Sequence, residues 1–197
     1  MKKLLYAFLL FFSLIVLTGC NDETTAEYRT DLQSVADDLL ANAAEAEDVL
    51  NQYAHIWKFS IESGTAIGVK DMANEIGLDE EVIREHFQLN SIGNVPGDFS
   101  INVNSLKGYF QSIGILDEIE QTSEDIKKKI NELNNPPKGY EEVYDEVLDM
   151  YILVEEYTEL ALNPTGSLQS FNDTRGQLSN EILSKYKRIE VIMPSEE

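Results

Sequence analysis

The chain of 197 residues holds a single cysteine, Cys20. No disulfide can form within it, so its stability must come from packing. Basic side chains are scarce as well: 15 Lys and Arg face 36 Asp and Glu, a formal net charge of −21. Phosphate recognition begins with clustered Lys and Arg, and the one local run, Lys127 to Lys129, sits among acids, which argues against nucleic-acid binding. The same balance opposes broad docking onto anionic lipid or wall polymers, while a basic protein partner remains electrostatically easy.

Histidine is nearly absent, and neither His55 nor His86 has the Glu three positions earlier that a bundle di-iron site places on the same helix face. His55, beside Ile56 and Trp57, reads as a structural residue. The chain lacks a G-x-S-x-G elbow, a phosphate-binding glycine loop, an H-E-x-x-H helix and a catalytic cysteine arrangement. Asp98, Ser100, Asn102 and Asn104 place oxygens at alternate positions as an EF-hand loop does. Val103 then occupies the turn-glycine place and Tyr109 the place of the bidentate Glu, so a capping and turn role is expected there. Carboxylate pairs such as Glu118 with Glu120 and Glu155 with Glu156 arise without purpose among so many acids and read as solvated faces.

What the chain does have begins at its N-terminus. Lys2 and Lys3 precede an apolar run from Leu4 to Leu17 that carries no charge. The run is shorter than the roughly 20 residues a permanent span needs, so a cleaved export signal is expected. The four residues that follow its core, Leu17, Thr18, Gly19 and Cys20, resemble the lipobox of bacterial lipoproteins. That resemblance implies cleavage between Gly19 and Cys20, a diacylglyceryl group on the Cys20 thiol with palmitate-like chains, and residence on the extracytoplasmic face of the cell membrane. Two acyl chains suffice for stable anchoring, at about 0.8 kcal/mol per buried methylene. The expected organisation is a signal at 1–19, a lipidated tether at 20–24 and one helical domain at 25–197. The signal holds two of the lysines, which leaves 13 basic residues against 36 acids and a mature charge of −23.

Thr24 and Glu27 form a capping-box pattern. Beyond it Tyr28, Leu32, Val35, Leu39, Ala43, Ala46, Leu50, Tyr53 and Trp57 recur at steps of three or four, predicting a helix to about Ile61. Residues 64–102 are broken by glycines and Pro96; short helices are expected at 69–76 and 79–89, the latter capped by Asp79, with an extended loop at 99–103. Long periodicity returns at Leu106, Phe110, Ile113, Leu116, Ile119, Ile126, Ile130 and Leu133, predicting one helix over about 103–133. Tyr140, Tyr144, Val147, Tyr151, Val154 and Ala161 mark a third long helix. Leu168, Phe171, Leu178, Ile182, Tyr186 and Ile189 mark a fourth that starts near Ser167, with Lys185, Lys187 and Arg188 set to oppose the negative end of its dipole. The expectation is an all-α fold, an elongated antiparallel four-helix bundle with an irregular insertion at about 64–102.

Function is less legible. With no catalytic constellation, cofactor motif or metal-ligand spacing, the reading is a non-enzymatic, membrane-anchored module that binds a protein partner, no nucleic acid and no cofactor. The alternative is a small-ligand receptor with a pocket lined by tyrosines of the third helix. Trp57, Tyr144 and Tyr151 are the candidate ligand or partner contacts, beside Cys20 for lipidation and the Gly19–Cys20 bond for cleavage.

Overall fold

The computed structural model describes residues 19–195, with side chains from residue 25 onward. The expected export signal and the Cys20 side chain lie outside the described residues. The described residues form an all-α fold of seven helices and one two-stranded pair: α1 (Gly19–Ser63), β1 (Ala66–Ile67), α2 (Val69–Ile76), α3 (Glu80–His86), β2 (Val95–Pro96), α4 (Phe99–Ser112), α5 (Ile115–Glu132), α6 (Glu141–Leu162) and α7 (Leu168–Ile192). Among the described residues no helix is long and apolar enough to cross a membrane.

Helix α1 is the spine. All nine of its expected stripe residues, from Tyr28 to Trp57, are buried, because steps of three and four keep one face turned to the neighbouring helices. At 45 residues it spans on the order of 65 Å at 1.5 Å per residue. It begins at Gly19, upstream of Thr24, so the backbone of the expected tether is helical and the capping-box pattern falls within the helix.

Helix α7 runs back along α1: Arg29 Nε donates to the Pro194 carbonyl at 2.9 Å, the Tyr186 hydroxyl to Asp37 Oδ1 at 2.8 Å, and the Arg175 guanidinium to Asn51 Oδ1. Helices α4 and α5 also run against α1, through Ser60 with Asn102, the Tyr53–Phe110 ring pair, Asp38 with Lys129, and the Tyr28 hydroxyl on the Leu133 carbonyl. Helix α6 runs parallel to α1, as Tyr28 meets Tyr140 edge-on at 5.5 Å and Asn42 meets Thr158. One continuous apolar core joins α1, α4, α5, α6 and α7.

Several expectations are corrected. The helix expected over 103–133 is two helices, since Gly114 has φ +81°, a left-handed geometry that glycine adopts without steric cost. Ile113, on the expected stripe, is consequently half exposed. The loop expected at 99–103 is the first turn of α4, because the Asp98 carboxylate accepts from the backbone N–H groups of Ser100 and Ile101 at 2.9 and 3.2 Å and so satisfies free helix-start donors. Asp79 holds the cap position of α3 without a side-chain cap bond. Lys185 and Arg188 do not sit in the last turn of α7; they reach across to α6, where Glu146 Oε2 lies 2.8 Å from Lys185 Nζ and Glu146 Oε1 lies 2.9 Å from Arg188 Nε. Glu146 is buried, so these bonds compensate a carboxylate that would otherwise be costly to hold out of water.

The 64–98 segment closes the end of α1. Strands β1 and β2 pair antiparallel, Ala66 with Pro96 and Ile67 with Val95, and Gly97 N–H donates to the Thr65 carbonyl at 3.1 Å. A Cβ on Gly97 would stand 1.4 Å from the Gly64 carbonyl oxygen, so the crossing admits only glycine. Asn102, fully buried, ties this end together by donating from Nδ2 to Ser60 Oγ at 2.9 Å and to the Pro96 carbonyl at 2.8 Å.

Candidate functional site

The three candidate contact residues stand in different surroundings. Trp57 is 4% exposed near the far end of α1, stacked on Phe99 at 5.3 Å with a 12° interplanar angle and tilted on Phe171 at 5.6 Å. Phe99 itself remains 40% exposed. Together with Asn104 and Pro164 the two rings border a cleft of about 240 Å³ between α4 and the α6–α7 loop. Tyr144 is half-buried and donates a long 3.4 Å bond to the Ile130 carbonyl on α5. Tyr151 is buried, and its hydroxyl donates to Glu155 Oε1. Burial, then the bond to Glu155, pushes the Tyr151 phenol well above its ordinary value, so it stays protonated near neutrality.

Tyr140 and Tyr157, the other tyrosines of α6, are core residues at 5% and 1% exposure. Of the tyrosines of this helix, Tyr151 lines a cleft, and Tyr140 and Tyr157 pack into the core instead. That cleft, about 530 Å³, lies between α5 and α6. From α5 it takes Glu120, Ser123, Glu124 and Lys127, positions i, i+3, i+4 and i+7 of one helical face; from α6 it takes Glu155, Glu156, Thr158 and Glu159 beside Tyr151 and Leu162. Five carboxylates thus stand against one lysine, whose Nζ is 3.6 Å from Glu155 Oε1.

Hydroxyls contribute its inner side. Ser123 is 7% exposed and has no hydrogen-bond partner among the described residues. Thr158, 4% exposed, accepts only a long 3.5 Å bond from Asn42 Nδ2. Behind it Asn42, 1% exposed, has an Oδ1 with no partner. Each of these three polar residues stands at a stripe position where a packed apolar side chain would be expected: Ser123 between Ile119 and Ile126, Thr158 between Val154 and Ala161, Asn42 beside Leu39 and Ala43. Breaks in an apolar stripe are the signal in the sequence, and the surrounding acids, which read as solvated faces, mask it.

The histidines stand apart from both clefts. His55 Nε2 lies 2.7 Å from Glu75 Oε1 and joins α1 to α2 at an exposed position. His86 meets Tyr109 edge-on at 5.2 Å. Of the alternate-oxygen motif, Asp98 caps α4 and Asn102 is a core tie, so the two do not face a common point as ligands would. Among the described residues no group of three or more His, Cys, Asp or Glu is placed to hold a metal ion.

Among the described residues eight large apolar side chains are exposed, of which Ile113, Ile152, Leu183 and Val191 lie on or beside α4, α6 and α7. Ile61, Leu89, Ile92 and Phe99 fall at 37–77% exposure within or beside the segment that closes the end of α1. Ile92 rides on a tight loop whose N–H, and that of Asn94, donate to Asn90 Oδ1 at 3.1 and 3.0 Å. A held loop presenting an isoleucine to water is costly for folding alone. A further recess of about 520 Å³ is bordered by Phe59, Ile67 and Asp71. Comparison of the chain with protein-family models, with curated proteins and with solved structures finds no match.

Proposed function

We propose that this protein is a lipid-anchored extracytoplasmic module that holds a protein-docking end away from the membrane. In this reading Cys20 carries the lipid, and α1, the α4–α5 pair, α6 and α7 make an antiparallel four-helix bundle, one domain from residue 25 onward with the 64–98 segment as its distal insertion. The observation that carries it is that four of the eight exposed large apolar residues, Ile61, Leu89, Ile92 and Phe99, fall within or beside the 64–98 segment, at the end of α1 opposite its cysteine. Helix α1 starts at that cysteine's neighbour and ends at Ser63, so the two features are separated by on the order of 65 Å of helix. A rigid spacer of that length is long compared with a headgroup layer.

The partner's chemistry follows from the surround. Residues 64–98 carry seven acids, Asp71, Glu75, Asp79, Glu80, Glu81, Glu85 and Asp98, against Lys70 and Arg84. A complementary face would set Lys and Arg around an apolar centre, giving steering from the charges and affinity from the buried apolar contacts. Substituting Leu89→Ser, Ile92→Ser and Phe99→Ser together should abolish crosslinking to a partner in the protein's own cells while leaving membrane attachment and helical content unchanged. Unaltered crosslinking would remove the docking role from this end.

A receptor role has one observation of its own, the α5–α6 cleft lined by Tyr151 and the hydroxyls of Ser123 and Thr158. It needs no catalytic step, and a small molecule that binds there would stabilise the fold saturably.

A further inference from the structure

We infer that the cleft between α5 and α6 binds a linear organic polycation of the aliphatic polyamine class. This rests on the receptor reading of that cleft and adds the chemistry of its ligand.

Charge selects the sign. Glu120, Glu124, Glu155, Glu156 and Glu159 surround a space in which Lys127 is the single cation and is already drawn to Glu155 at 3.6 Å. Like charges held around one cleft repel one another, and a bound cation relieves that repulsion. The carboxylates are distributed along two helix faces, and among the described residues none is grouped closely enough to hold a metal ion. Several separated ammonium groups fit such a spread; a point charge satisfies only part of it.

The inner side selects the ligand's build. Ser123 is more than nine-tenths buried, lines the cleft and has no partner; Thr158 beside it has only the long bond from Asn42. With no protein partner, the Ser123 hydroxyl is left to be completed from the cleft it lines, by a ligand or by solvent. Both hydroxyl oxygens can accept from an ammonium or secondary amine. The Tyr151 ring and Leu162 offer apolar surface for the methylenes between charges, and the ring face also attracts cations. The volume, about 530 Å³, lies in the range of small-molecule sites, roughly 300–1,000 Å³.

The experiment is titration of the intact detergent-solubilised protein with spermidine at fixed ionic strength, read by calorimetry and by the amide resonances of Ser123 and Thr158. Saturable binding with shifts at those two residues is expected. Glu120→Gln with Glu124→Gln should weaken it by roughly tenfold or more, an attraction of that order being typical for a carboxylate near an ammonium. Glu81→Gln with Glu85→Gln, which removes equal charge from α3, should change it less than about twofold. Equal weakening by both pairs would show diffuse attraction to an acidic surface and overturn the proposal. Saturable binding of an uncharged or anionic compound at Ser123 and Thr158, with none of spermidine, would overturn the ligand class and leave the receptor reading standing. No shift at those residues with any compound in a broad small-molecule set would overturn both.

Discussion

Removing one oxygen atom from Tyr53 should make this protein more stable, whereas the same edit at Tyr28 should make it less so. Both rings are buried on α1, but their hydroxyls differ. The Tyr28 hydroxyl donates to the Leu133 carbonyl at 2.9 Å; the Tyr53 hydroxyl has no partner among the described residues, and the residue is wholly buried. Burying a polar group without a hydrogen bond costs about 1–3 kcal/mol in proteins, while a paired one contributes about 0.5–1.5 kcal/mol. Tyr53→Phe keeps the ring that meets Phe110 at 5.6 Å, so the gain should be about 1–2 kcal/mol. Tyr28→Phe strands the Leu133 carbonyl and should lose about 1 kcal/mol. At this chain length each kcal/mol moves the melting temperature by roughly 2–4 °C, so the two variants should melt on opposite sides of the parent. Urea unfolding at neutral pH followed by circular dichroism gives the free energies directly. If Tyr53→Phe proved as destabilising as Tyr28→Phe, the Tyr53 hydroxyl would have to be satisfied, by a buried water for example, and the reasoning would fail.

Gly97→Ala should disrupt the β1–β2 crossing, since its Cβ would meet the Gly64 backbone oxygen at 1.4 Å; hydrogen exchange should quicken across 64–98 with α6 and α7 unaffected. Asn102→Leu, which breaks the ties to Ser60 and Pro96, should cost about 1–3 kcal/mol and loosen the same segment, and unchanged protection there would contradict the tie. Alkaline titration should destabilise the fold. Burial raises the Tyr28 and Tyr157 phenols to about 12 from 10.0, so their contribution is complete below pH 10 and is lost as pH climbs from 10 to 12, which a melting series would show as a steady fall over that window.

How much the sequence revealed depends on whether the deciding interaction is local. The stripe from Tyr28 to Trp57 was readable because helical burial repeats every three or four residues, and Ser167 was readable as a start because its capping box closes within four residues, on Ser170. The break at Gly114 was hidden because Phe110, Ile113 and Leu116 keep the period through it. The strand pair was hidden because Ile67 finds Val95 across 28 residues, a pairing no local window contains. For the candidate sites, Trp57 was singled out as an aromatic contact, but its stacking partner Phe99 came from a segment read as loop. The acidic cleft escaped because its two walls come from different helices, each of which alone resembles a solvated face. Only the polar interruptions at Ser123, Thr158 and Asn42 marked it, and their meaning depends on which helices meet.

The proposed role of α1 as a spacer depends on the proposed lipid anchor at Cys20. Membrane fractionation of cells expressing the native chain and its Cys20→Ser variant, with palmitate labelling, tests it most directly. The native protein should carry label and sediment with membranes, and the variant should carry none and appear uncleaved or released. Equal sedimentation and processing of the two would contradict the tether and, with it, the role of α1 as a spacer.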